Sequence, residues 1–93
     1  MFGFEWDDNK AARNLIDHKV SFEQASVACR DPLAGEWIDD RLAYDEERIA
    51  LLGIYRRDVL FVAYTERGDT IRIISARRAE KHEQDRYYRQ NTA

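Results

Sequence analysis

Arginine supplies most of the side chains in this sequence that could do chemistry. The run Ile71-Arg72-Ile73-Ile74-Ser75-Ala76-Arg77-Arg78 has the composition of a strand, with its apolar alternation broken at Arg72. Arg67 falls in the turn before it, and Arg48 opens an earlier apolar segment. In a regular strand Arg72 shares a face with Ile74, while Arg77 shares the other with Ile73 and Ser75. A guanidinium is planar, permanently charged and able to grip a phosphate through two parallel hydrogen bonds. A strand also fixes its direction. Two plainer readings stand beside this one: Arg72 can snorkel at a sheet edge, and Arg77 can close a strand end. His18 is the one histidine in the periodic part of the chain, and an imidazole can transfer protons near neutrality. At a helix end it can equally serve as a partner of the helix dipole.

Other chemistries find little support. His18 and His82 are far apart and Cys29 stands alone, so no zinc-type spacing exists. Asp45-Glu46-Glu47 lacks the alternating ligands and the glycine of a calcium loop. Neither a glycine-rich phosphate loop nor a serine elbow occurs. The expectation is a protein with no cofactor and no metal. Tyr64, Tyr87 and Tyr88 have rings that could stack on bases, although aromatics on strands and amphipathic helices also fill cores.

The formal net charge of -3 opposes binding to a polyanion, but its distribution does not. Residues 1–50 hold six basic and twelve acidic side chains, whereas residues 51–93 hold nine basic and six acidic. Eight of those nine are arginine. Such asymmetry marks either a polyanion site or an interaction face, and a solvated basic helix is the plainer alternative.

The elements that must position these residues can be read from period and punctuation. Phe2 and Phe4 suggest a short first strand. Asp7 or Asp8 caps a helix whose stripe is Trp6, Ala11, Leu15 and His18, with Asn14 beside it. Val20-Ser21-Phe22-Glu23-Gln24 reads as a hydrophobic staple and capping box, opening a second helix that ends at Asp31-Pro32. Glu36-Trp37-Ile38 is a short strand before an acidic loop, Asp39 to Glu47. Ile49–Tyr55, Val59–Thr65 and Thr70–Ala76 are strands joined by turns short enough for consecutive hairpins. Arg78 to Gln90 suits a helix with few apolar members, solvated or covered by a partner. The expected architecture is α+β, one domain over residues 1–93, with a small antiparallel sheet of about four strands, two N-terminal helices and a C-terminal helix. The longest apolar run, Val59 to Tyr64, is far shorter than a membrane span. The N-terminus lacks the pattern of a signal peptide, and the lone cysteine fits a reducing cytoplasm.

Phe4-Glu5-Trp6-Asp7, Lys10, Asn14, His18, Val20-Ser21-Phe22-Glu23, Asp31-Pro32, Glu46-Glu47-Arg48, Gly53, Tyr64-Thr65 and Ile71 to Arg77 together resemble the BrnT family of ribonuclease toxins. The resemblance covers the chain from about Phe4 to Tyr88. It implies a fold similar to the RelE group and metal-free cleavage of RNA. It also implies a BrnA-type antitoxin with a ribbon-helix-helix part, operator DNA bound only through that antitoxin, and repression of the shared operon. On this resemblance Arg67, Arg72 and Arg77 clamp phosphate, His18 or Glu47 transfers the proton, and Lys10 assists. A non-catalytic co-repressor subunit that only docks on its partner is the alternative; the acidic first half would attract a basic antitoxin. Two departures stand out. Lys19 occupies a position where the family usually has glycine, so the turn is expected to differ. Arg41-Leu42 replaces a common histidine in the acidic loop, which leaves His18 as the stronger histidine.

Overall fold

The computed structural model describes residues 3–39 and 47–91. Its strands are β1 (Gly3–Glu5), β2 (Gly35–Asp39), β3 (Arg48–Tyr55), β4 (Asp58–Arg67) and β5 (Thr70–Arg78). The helices are α1 (Asp8–His18), α2 (Phe22–Cys29) and α3 (Lys81–Gln90). The fold is α+β, but the sheet is larger and less uniform than expected. It has five strands in the order β1-β5-β4-β3-β2, and β1 runs parallel to β5. Phe4 to Glu5 pairs with Ile71 to Arg72 across the long α1–β4 excursion, and local turn spacing cannot reveal such a partner. Phe2 and most of the acidic loop lie outside the described residues.

Two short turns set the register. Arg56-Arg57 closes β3 onto β4 through the pair Tyr55 and Asp58, with Arg56 at φ 57°. Gly68-Asp69 closes β4 onto β5 through Arg67 and Thr70, with Gly68 at φ 60°. A positive φ at the first turn residue matches the right-handed twist of a hairpin.

The sheet separates two apolar layers. On one side α1 and α2 bury Val20, Phe22, Ala25 and Ala28 against Leu51, Leu60, Val62, Tyr64, Ile71, Ile73 and Ala76. On the other, α3 and the loop before it bury Ala79 and Tyr87 against Ala50, Leu52, Val59 and Phe61. α2 comes so close to β3 that a Cβ on Gly53 would stand 2.2 Å from the Ala28 carbonyl oxygen. Glycine is needed there for contact rather than for flexibility.

The helix caps follow the sequence closely. Asp7 accepts hydrogen bonds from the amides of Asn9 and Lys10. Ser21 and Gln24 form the reciprocal capping box, and Val20 beside them is buried. The inner stripe of α1 differs from the expectation, because Leu15 and His18 are exposed and Asn14 is buried. Asn14 wins that position by bonding strand as well as helix end. Its amide donates to the carbonyls of Val20 and Ala76, at 2.9 and 2.8 Å, and its oxygen accepts from the Ala76 amide. α3 begins at Lys81 rather than Arg78, since Arg78 still pairs with Leu60 in β5.

Lys19 ends α1 at φ 60° and ψ 26°, a left-handed conformation that glycine adopts without penalty. Its ammonium donates to the Ile16 carbonyl at an exposed site. A side chain in this region costs about 1–2 kcal/mol. Lys19→Gly is expected to raise stability by about 1 kcal/mol net of chain entropy, read as a higher urea midpoint at unchanged slope.

Candidate functional site

The arginine face is created by an irregularity in β5. Tyr64 pairs with Ile73 and Ala63 with Ser75, so Ile74 is an extra residue without an opposite number. A bulge of this kind shifts the alternation by one. Regular alternation puts Arg72 and Arg77 on opposite faces; the bulge puts them on the same one. Thr65 faces Arg72 and Phe61 faces Arg77, and Phe61, Ala63 and Thr65 all lie on one side of β4. Arg77 therefore faces away from Ile73, contrary to the regular-strand expectation. Arg67, paired with Thr70, belongs to the same side.

Register then defines rows across this face. Asp39 opposes Arg48, Thr65 opposes Arg72, and Arg72 opposes Glu5. Arg48 comes level with Thr65, one residue beyond the Ile49–Tyr64 pair. The outer row is thus acid, base, hydroxyl, base, acid. Inside it lie Trp37, Ala50, Ala63 and Ser75, and then Leu52, Phe61 and Arg77 beneath α3. Thr65 to Phe61 spans about 13 Å along the strand. Two arginine side chains can converge on one anion over Ser75 across that span.

Both central arginines are held in position. Arg72 Nη1 lies 2.6 Å from Glu5 Oε2. Arg77 makes a two-pronged pair with Glu83 at 2.8 and 3.0 Å, while its guanidinium lies 4.3 Å from the centre of the Phe61 ring. Asp39, Arg48 and Arg67 are partnered as well. Burial pushes the Glu83 carboxyl upward, but the bonds from Arg77 and the Glu80 amide outweigh it and hold the group below the ordinary glutamate range. Asp31 behaves likewise: burial raises it, and the Tyr87 hydroxyl with the Leu33 and Ile54 amides lowers it further than burial raises it. A carboxyl with a depressed folded pKa contributes stability above its unfolded value, which is about 4. That stability is lost as pH falls through the folded values. The melting temperature is expected to hold from neutrality to about pH 5 and to fall progressively below about pH 4. Glu83→Gln should flatten part of that acid limb.

Thr65 is the residue that strand reading alone did not single out. It is 3% exposed and its hydroxyl has no hydrogen-bond partner, although it sits beside two arginines. A buried unpaired hydroxyl is costly, and natural structures keep few of them. In the sequence Thr65 stands only at the end of the Val59–Thr65 strand and in the Tyr64-Thr65 pair of the BrnT resemblance.

The remaining candidates are spread around this face. Lys10 lies in the first turn of α1, next to Asp7. The Asp7 carboxyl is held low mainly by the Lys10 amide, with smaller contributions from the charges of Lys10 and Arg72. Lys10 and Arg72 thus both lie within electrostatic reach of Asp7. His18 lies at the far end of α1, about 12 Å further along the axis, and α1 packs on the opposite face of the sheet. Glu47 is exposed and precedes Arg48. Tyr64 and Tyr87 are buried, with their hydroxyls donating to Glu36 and Asp31, so neither ring is presented to a ligand. Burial, helped by Glu36, pushes the Cys29 thiol up to about 12, which makes it a poor nucleophile.

Among the described residues, Glu80, His82 and Glu83 bring potential metal-ligand atoms within 4.8 Å of one another. Glu83 already gives both oxygens to Arg77 and one to the Glu80 amide, so this group is first a helix start and an anchor for Arg77. No helix among the described residues is long and apolar enough to cross a membrane.

A small α+β domain with arginines, a buried hydroxyl and a serine on one sheet face has the build of a binder of phosphate-bearing ligands. Residues 6–83 match the family model described as the ribonuclease toxin BrnT of type II toxin–antitoxin systems, more than four fifths of the chain, and the chain belongs to that family. It is accordingly a ribonuclease toxin of a type II pair, whose partner is a protein antitoxin and whose target is RNA. No curated protein sequence matches the chain significantly.

Proposed function

We propose that the chain is a metal-independent endoribonuclease that cuts RNA on the arginine face of its sheet. The observation that carries this reading is the bulge at Ile74, which brings Arg77 and Ser75 to the side that Arg67, Thr65 and Arg72 already share. RNA supplies its own nucleophile, so no activated serine, cysteine or metal is required. The 2′-oxygen attacks phosphorus, the 5′-oxygen leaves, and the product is a 2′,3′-cyclic phosphate. Arg72 and Arg77 hold the phosphate in line and stabilise the charge that builds on the phosphorane. Arg67 extends the cationic track. Glu47, beside Arg48, is the group for proton transfer, and Lys10 assists from the Asp7 side. His18, at the end of α1 on the other face of the sheet, takes no part.

A BrnA-type antitoxin with a ribbon-helix-helix part would neutralise the toxin and bring the pair to operator DNA, repressing the operon in the cytoplasm. The acidic first half of the chain supports a basic partner. A RelE-type scaffold belongs to the same proposal, supported by three long antiparallel strands with two helices on one face.

The test is cleavage of a defined RNA by the purified chain in excess chelator. Cyclic phosphate ends are expected, with no cutting where the 2′-hydroxyl is removed. Equal cutting of the deoxy substrate, or dependence on a divalent ion, overturns the mechanism. Thr65→Val is expected to leave cleavage nearly unchanged and stability unchanged or slightly raised, because a buried unpaired hydroxyl disappears. The pairing of Arg72 with Glu5 and of Arg77 with Glu83 favours a second reading, a non-catalytic co-repressor subunit with structural arginines. Expression without the antitoxin separates the two: growth arrest with RNA decay supports the enzyme, and harmless expression supports the subunit.

A further inference from the structure

Beside Arg77 the structure holds a recess that phosphate chemistry leaves unexplained. A pocket of about 270 Å³ opens between β2 and α3, lined by Trp37, Ile38, Asp39, Phe61, His82, Glu83 and Arg86. The Arg86 guanidinium lies 4.1 Å from the centre of the Trp37 ring, and Trp37 meets Phe61 edge-on at 5.9 Å. Phe61 in turn carries Arg77 at 4.3 Å. The result is a continuous series of guanidinium, indole, phenyl and guanidinium along one wall. Trp37 is half-buried and Arg86 is exposed, so the indole and the planar cation both border the opening.

We propose that this pocket receives a nucleobase of the RNA next to the phosphate held by Arg77. The inference rests on the cleavage reading and specifies its substrate subsite. Three features favour a base over other occupants. Flat π surfaces and guanidinium planes are the groups on which unpaired RNA bases stack. The pocket shares Phe61 and Glu83 with the surroundings of Arg77, so a base here and a phosphate there are one nucleotide apart in reach. Its volume is small for a ligand site, which suits one ring system rather than a larger molecule. A base in the pocket lies against Trp37 and the Arg86 guanidinium, and His82 in the same lining offers a hydrogen bond to its edge.

The experiment follows the two indole N–H signals of the full chain by NMR during titration with each nucleoside monophosphate, and separately with inorganic phosphate. Trp37 is assigned by Trp37→Phe. Nucleotides are expected to shift the Trp37 signal and leave Trp6, which packs on Phe22, in place; phosphate alone should leave both unchanged. Arg86→Ala, at an exposed position, should weaken nucleotide binding about 5- to 50-fold. In cleavage it should raise KM more than it lowers kcat and relax the base preference at one position beside the cut. A structural role for Arg86 would not alter base preference. A Trp37 signal that ignores all nucleotides overturns the proposal, as does one that moves only when an antitoxin protein is added. If the wild-type chain cuts RNA but Trp37 stays still, the pocket fails and the cleavage reading survives. If nucleotides shift Trp37 but no RNA is cut, the cleavage reading fails alone.

Discussion

Arg77→Ala is expected to lower the rate of RNA cleavage by about 10²–10³-fold, the usual effect of removing one donor aimed at developing charge. Arg77 is central because the bulge turns it to the site and Phe61 and Glu83 fix its plane. The same substitution leaves Glu83 nearly buried without its cation, which costs about 3–5 kcal/mol when a buried pair is broken from one side. Loss of activity must therefore be separated from loss of fold. Arg77→Lys keeps a charge near Glu83 but cannot form the two-pronged contact. It should retain most of the stability and still lose most of the rate. Single-turnover cleavage and thermal melting on the same samples check both. A fully active Arg77→Lys with normal melting would remove Arg77 from the phosphate site.

Asn14→Ala should produce a loss of stability as large as that of Arg77→Ala, with no charge involved. Three backbone groups, the carbonyls of Val20 and Ala76 and the amide of Ala76, would lose their partner within the packed layer. At 1–3 kcal/mol for each group left unsatisfied, and with some relaxation, the expected cost is about 3–5 kcal/mol. For a domain of this size the melting temperature would fall on the order of 15 °C. Its neighbour Arg13 provides the contrast: the ion pair with Asp17 is exposed, and Arg13→Ala should change stability by less than about 0.5 kcal/mol. Chemical denaturation of the two variants side by side is sufficient. Similar stability in both would show that α1 is not held to β5 through Asn14.

Local signals in the sequence located the elements well. The Asp7 cap, the Ser21–Gln24 box, both short turns and all of the long strands depend on residues within a few positions of one another. The parallel β1–β5 pairing depends on chain segments far apart, and no local pattern announces it. The stripe of α1 was misplaced because an amide side chain can replace a leucine at a buried position when strand and helix end both offer it partners. The arginine cluster was legible as composition but not as geometry. Regular alternation divided Arg72 from Arg77, and only the cross-strand register shows that Ile74 brings them back together. The Trp37 pocket was invisible for a related reason: its walls come from β2, β4 and α3.

The extra residue in β5 makes the pairing register, rather than the strand length, a part of the site. A point substitution can change one guanidinium and leave the others aimed as before. Deleting Ile74 would restore an even ladder and leave Ser75, Ala76 and Arg77 opposite Ala63, Val62 and Phe61, on the faces they hold now. Keeping Ile74 but pairing it with Ala63 would instead turn Arg77 into the hydrophobic packing of α1 and α2 and Ala76 out of it. Descendants of this sequence can therefore lose the residue between Ile73 and Ser75 and keep Arg77 aimed, but they cannot keep that residue and lose the bulge.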